Sequence, residues 1–207
     1  MKSTKLKFIN RSNDCNSSHI VIFQKHEKTD FDELLIAWKI IKNCNRGDSH
    51  LFTYEYDLQV TSGDCYGNYT YPETVYPGDR FEMIANSAGD ILQKSLHSAA
   101  NASCVEVYNG LDKGSISANI YRSGKLLACK NVIAPAQKAV FNFKPCIYVG
   151  VASEIEEGDI MDSAAISEIN KQIYLTGIAS ADLVMTGGGS GVNSIPFEFT
   201  LENIVYA

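Results

Sequence analysis

The stretch Leu51-Phe52-Thr53-Tyr54-Glu55-Tyr56-Asp57-Leu58-Gln59-Val60 decides the fold class. Its even positions are Phe, Tyr, Tyr, Leu and Val, and its odd positions from 53 are Thr, Glu, Asp and Gln. Successive side chains of a strand point to opposite faces, so this alternation describes a strand with one buried and one wet face. Working outward, Ile116, Ala118 and Ile120 alternate with Ser115, Ser117, Asn119 and Tyr121 in the same way. Ser123-Gly124 then offers a two-residue hairpin connection into Lys125-Leu126-Leu127-Ala128-Cys129. Ala139, Phe141 and Phe143 face inward opposite Lys138, Asn142 and Lys144, and after Pro145 an apolar strand runs to Ala152. Ile195, Phe197, Phe199 and Leu201 alternate with Pro196, Glu198, Thr200 and Glu202. With 5–10, 19–24, 81–86 and 104–108, this makes about ten strands, the pattern of an all-β antiparallel sandwich of Greek-key or jelly-roll type.

Two segments stay ambiguous. Residues 30–43 hold Phe31, Leu34, Leu35, Trp38 and Ile41 at helical spacing, yet Leu35, Ala37, Lys39 and Ile41 also alternate. Residues 161–172 are equally undecided, and at most a short helix is expected in either. No repeat, linker or low-complexity run divides the chain, so one sandwich domain over 1–207 is expected, with Trp38, Phe52, Phe141, Phe143, Ile147, Val149, Phe197 and Phe199 in its core.

The chain has 207 residues, 45% hydrophobic and 20% charged, with 18 Lys and Arg against 24 Asp and Glu for a net charge of −6. That composition is neither disordered nor membrane-like. An acidic balance argues against a nucleic-acid partner, whose phosphates need Lys and Arg. Lysines recur to position 7 and Asn10 follows, so no secretory signal is read at the start, and no run is apolar enough for a transmembrane helix. A cytoplasmic location is expected. The six cysteines, Cys15, Cys44, Cys65, Cys104, Cys129 and Cys146, show no disulfide framework and no C-x-x-C pair, so reduced thiols are expected.

Four segments together resemble one family. They are Leu6-Lys7-Phe8-Ile9-Asn10-Arg11-Ser12; Ile36-Ala37-Trp38-Lys39; Ile147-Tyr148-Val149-Gly150 followed by Glu157-Gly158-Asp159-Ile160-Met161-Asp162; and the terminal hairpin of 186–199. In order and spacing the chain resembles bacterial proteins related to the rhizosphere-expressed protein RhiA, over nearly its whole length. The resemblance implies a small, β-rich soluble protein without a catalytic set. It transfers no functional residue.

No catalytic constellation is legible. The run Thr186-Gly187-Gly188-Gly189-Ser190-Gly191 lacks the Lys of a phosphate loop and is followed by a strand, so it reads as a flexible hairpin tip. It also fails the G-x-S-x-G elbow, because Gly191 follows Ser190 directly. Cys44 beside Asp48, Ser49 and His50 offers a thiol near an imidazole, but such a local polar cluster is ordinary turn chemistry. His19, His26 and His97 form no metal spacing, and no metal or cofactor is expected. The acidic residues Glu154, Glu156, Glu157, Asp159 and Asp162 raise a calcium loop, but the EF-hand pattern is missing.

The most informative feature is aromatic. Tyr54 and Tyr56 share a face with Phe52 and belong to the core, whereas Tyr66, Tyr69, Tyr71 and Tyr76 lie in Gly-, Pro- and Asn-rich sequence that reads as loop. Exposed tyrosines offer flat apolar faces with a hydroxyl, suited to a glycan or a protein surface. Their alternative role is to cover one end of the sandwich. The leading expectation is a non-catalytic binding protein using these loops. The alternative is a self-assembling or toxin-like protein acting through strand edges or a rearranging hairpin, with a homo-oligomer as its form. Of all segments, only 51–60 approaches the ~9–11 residues of a membrane-crossing strand. An enzyme comes third.

Overall fold

The computed structural model of the chain describes residues 3–14, 16, 18–25, 35–161 and 170–207. They form an all-β fold of eighteen strands, with one 3-10 turn at Gly191–Asn193. The strands gather into two compact units. Among the described residues, one comprises those of 1–25, 35–56 and 145–207, and the other those of 57–144. The sequence reading places 1–207 in one sandwich. In the structure each unit carries two four-stranded sheets of its own. Alternation reports which face of a strand is buried, not which sheet the strand joins.

The first unit opens with β1 (Ser3–Asn10), β2 (His19–Phe23), β3 (Leu35–Ile36), β4 (Lys39–Ile41) and β5 (Ser49–Glu55). The second unit takes β6 (Leu58–Gly63), β7 (Glu73–Val75), β8 (Arg80–Asn86), β9 (Gly89–Lys94), β10 (Val105–Asn109), β11 (Ile116–Arg122), β12 (Lys125–Ile133) and β13 (Lys138–Phe141). The chain then returns to the first unit with β14 (Cys146–Ala152), β15 (Ile160–Met161), β16 (Asn170–Tyr174), β17 (Ile178–Gly188) and β18 (Ile195–Tyr206). The stretch 51–60 is therefore not one strand. It breaks at Tyr56 and Asp57, and its halves belong to different units.

In the first unit the sheets are ordered β18-β17-β1-β5 and β16-β14-β2-β4, with a small β15-β3 ribbon. Phe8 on β1, Leu183 on β17 and Phe52 on β5 bury the inward positions of the first sheet. β2 is buried on both faces, since Ile20, Val21, Ile22 and Phe23 are all almost fully enclosed. Its second face packs with Leu35, Ala37, Ile40 and Met161, which fixes 35–41 as extended chain rather than helix. The rest of the two ambiguous segments, 30–34 and 162–169, lies outside the described residues. The Gln24 amide donates to the Tyr54 hydroxyl at 3.0 Å and to the Cys146 carbonyl at 2.5 Å, joining the two sheets. The Trp38 ring meets Tyr54 edge-on with centroids 6.0 Å apart, and the Tyr56 hydroxyl donates to the Leu175 carbonyl at 2.9 Å.

The longest strands are β17, eleven residues, and β18, twelve, rather than the stretch singled out from sequence. Gly187 and Gly188 belong to β17 and are buried, so only part of the glycine run forms the hairpin tip. β18 is a sheet edge. Phe199 is buried, Phe197 only half-buried and Ile195 exposed, so the expected inward row holds at its centre alone.

In the second unit the sheets are ordered β13-β10-β8-β9 and β12-β11-β6-β7. Phe81, Met83, Val107, Ala139 and Phe141 bury one face of the first sheet, and Val60, Ile116, Ala118 and Ile120 one face of the second. Ser123 and Gly124 both have positive φ, 52° and 73°, as a two-residue hairpin turn demands. Phe143, expected in the core, is half-buried, and Asn142, expected to be wet, is buried. β13 ends at Phe141, and beyond a strand's end the two-residue rule no longer assigns faces.

Candidate functional site

The four loop tyrosines are the most accessible large side chains of their region: Tyr66 is 88%, Tyr69 65%, Tyr71 89% and Tyr76 54% exposed. The alternative of a packed cover predicts buried rings, and these are not buried. Their backbone is nonetheless well tied. The Asp64 carboxylate accepts from the amides of Tyr66 and Asn68 at 2.8 and 2.9 Å and from the Asn68 side chain at 2.8 Å. The Asp64 amide donates to the Asn68 carbonyl at 2.9 Å, and Gly67 supplies φ 89° for the turn. The Asn68 side chain, and then the backbone amides, hold the Asp64 carboxyl below the usual carboxylate range. Its contribution to the turn is therefore present at neutral pH and fades as pH falls through that lowered value.

Downstream, Tyr69 bridges to Gly63, and the Thr70 amide donates to the Ser62 carbonyl at 2.9 Å. A Cβ on Gly63 would lie 2.7 Å from the Tyr69 ring, so one ring edge rests directly on that glycine. β7 pairs with β6, burying Val75 between the exposed Tyr71 and Tyr76. The Tyr76 amide donates to Asp79 at 3.0 Å, closing the last turn before β8. Among the described residues none of the four rings pairs with another ring, and none of the four hydroxyls is hydrogen-bonded. Tyr54 and Tyr56 behave oppositely, with both hydroxyls engaged. The structure thus sets all four rings on one thirteen-residue loop region, 64–76, without stacking them on each other.

The other motifs resolve into local structure. Asp48 accepts from the Asn45 amide at 3.0 Å, which makes the 45–48 segment a turn. Burial, and then Asp48, push the Cys44 thiol up, away from the thiolate a nucleophile requires. Of the acidic patch, Glu156 pairs with Lys42, Glu157 accepts from the Ile40 amide at 3.2 Å, and Asp159 accepts from the Glu156 amide at 2.9 Å. Asp162 lies outside the described residues. Among the described residues no three His, Cys, Asp or Glu side chains converge on one point.

Sequence reasoning missed Glu106. Between buried Val105 and Val107 it reads as a wet-face residue, yet it is only 2% exposed. Its Oε1 accepts from Lys138 at 2.7 Å and from the Ala100 amide at 3.1 Å, while Oε2 is buried without a hydrogen-bond partner. Nearby on β8, Arg80 pairs with Glu82 at 3.0 Å. This charged cluster ties the segment before β10 onto the sheet, and no spacing rule reveals it.

Cys44, Cys65, Cys104, Cys129 and Cys146 are free thiols, and Cys15 lies outside the described residues. Burial pushes Cys129 up as it does Cys44, whereas Cys65 is exposed. Titration of unfolded, unreduced protein is expected to count about six thiols. In the native protein Cys65 should react first and the others slowly. A count of one or two would show that the thiols are paired. No helix among the described residues is long and apolar enough to cross a membrane.

Compared with protein-family models, with curated proteins and with solved structures, the chain matches none of them.

Proposed function

We propose that the protein is a non-catalytic binding protein whose second unit presents the loop 64–76 to a partner. The observation that carries this is the exposure of Tyr66, Tyr69, Tyr71 and Tyr76 on a backbone tied by Asp64, Ser62 and Asp79. Exposed aromatic surface on a pre-ordered loop costs little entropy to engage, which is the physics of binding loops on rigid scaffolds. The RhiA-like resemblance remains an expectation and lends no residue to the proposal.

The test uses the two most exposed rings, because Tyr69 also packs on Gly63. Tyr66→Ala with Tyr71→Ala is expected to leave stability within about 0.5 kcal/mol, as for surface positions generally. Binding to a partner that co-purifies with the wild-type chain should weaken by about 2 kcal/mol. A lowered melt with binding intact would assign the tyrosines to packing instead.

A second reading, self-association at a strand edge, draws on β18, where Ile195, Val205 and Tyr206 are more than half exposed. Three features weigh against it. Pro196 lacks an amide donor, the β17–β18 register shifts three times, and antiparallel self-pairing centred on Thr200 would set Glu198 against Glu202.

A further inference from the structure

The tyrosine loop has a charge character that its rings alone do not reveal. Positions 61–79 contain no Lys or Arg, against Asp64, Glu73 and Asp79. Lys94 answers Asp79 at 2.7 Å. Asp64 uses its oxygens on uncharged donors, which hold the negative charge in place without cancelling it. Glu73 is exposed on β7 and makes no ion pair among the described residues. Such a loop repels phosphate, sulfate and carboxylate ligands and attracts cations.

Tyrosine faces add to that attraction, because the ring quadrupole presents negative charge above and below its plane. The described residues already show this contact. The Arg80 guanidinium lies over Tyr108 at 4.5 Å, and the Lys25 ammonium over Tyr148 at 4.7 Å. Those rings are occupied, whereas the four loop rings carry no cation from any described residue. Strand addition is a poor alternative here. β7 is only three residues long, and Pro72 and Pro77, which have no amide hydrogen, stand close on either side. Recognition then falls to side-chain faces rather than to a backbone ladder.

We infer, resting on the binding reading above, that the partner is a basic, arginine-rich protein segment whose guanidinium groups lie on Tyr66, Tyr69, Tyr71 and Tyr76 while Asp64 and Glu73 meet its charge. Arginine is favoured over lysine because its planar, weakly hydrated guanidinium stacks on aromatic faces.

The full chain is titrated into fluorescein-labelled nonaarginine, with labelled nonalysine and the neutral oligosaccharide maltoheptaose as comparators. Nonaarginine is expected to bind tighter than nonalysine, and its affinity to fall about tenfold in Tyr66→Ala/Tyr71→Ala. Tyr66→Phe/Tyr71→Phe, which keeps the faces, should retain most of the affinity. Glu73→Gln and added salt should each weaken it several-fold, since exposed charges are screened. Nonaarginine binding that ignores the tyrosine substitutions overturns the inference, because attraction would then rest on net charge alone. Tyrosine-dependent binding of maltoheptaose without nonaarginine binding overturns the basic partner and leaves the binding loop standing. Failure of both probes to bind also overturns the inference, while the co-purification test above decides the loop's role independently.

Discussion

Gly187→Ala is expected to destabilise the first unit by about 2–4 kcal/mol, lowering its melting temperature by about 5–15 °C. Gly187 sits inside β17 with φ 87°, a region that strains any residue with a side chain. A Cβ there would be driven into the Pro196 carbonyl oxygen on β18, and backbone atoms cannot swing aside as a side-chain tip can. Relief by moving β17 would stretch the bond that the Asn13 amide donates to the Gly187 carbonyl at 2.7 Å. Gly191 supplies the control, with φ 63° and open space around its Cα. Gly191→Ala should therefore cost at most about 1 kcal/mol, the backbone strain alone. The single tryptophan, Trp38, belongs to the first unit and reports its melting by fluorescence. Equal melts for the two variants would show that the close approach of β17 to β18 is not what these glycines serve.

The second large effect is expected from Trp38→Ala. Trp38 is 2% exposed between β3 and β4, edge-on to Tyr54, which itself holds the Gln24 amide that joins the two sheets of the unit. Removing a buried indole forfeits its transfer energy and leaves a cavity, together about 3–5 kcal/mol. Trp38→Phe keeps an aromatic body and should lose roughly half as much. Chemical denaturation followed by circular dichroism measures both, and the midpoint should fall in the order wild type, Phe, Ala. A loss below about 1 kcal/mol for Trp38→Ala would mean that Tyr54 and its neighbours close the gap by repacking.

Sequence reached much of this. The alternation at 139–141, the Ser123-Gly124 turn and the core positions Phe52, Trp38, Ile147 and Val149 are as the residues imply. At 116–120, Ile116, Ala118 and Ile120 are buried as read, but Asn119, read as wet, is buried with them. Turn chemistry also read the tyrosine region as loop, since Gly67, Asn68 and Pro72 disfavour a continuous strand there. This holds up to Pro72, whereas Glu73–Val75 pair with β6 as β7. It did not reveal how the loop is held, because the bond between Thr70 and Ser62 and the contact of the Tyr69 ring with Gly63 join residues eight and six positions apart through folded geometry. Nor did it reveal Glu106, whose burial depends on the preceding segment folding back so that the Ala100 amide reaches the carboxylate.

By itself the sequence determined that the chain folds as strands, because a period of two needs only each residue's polarity and the pleat of the backbone. Only the tertiary structure decided which strands share a sheet. Residues 51–60 alternate in burial at Phe52–Tyr54 and again at Leu58–Val60, but Glu55, Tyr56 and Asp57 are all half-buried, and there the chain divides between two compact units. The same decision governs the glycine run, where composition suggested a pliant tip and the approach of Pro196 makes Gly187 part of a buried strand. Partner strands arrive from distant sequence, as Ser180–Met185 do beside Lys5–Asn10, and no local pattern encodes which neighbour a buried face will meet.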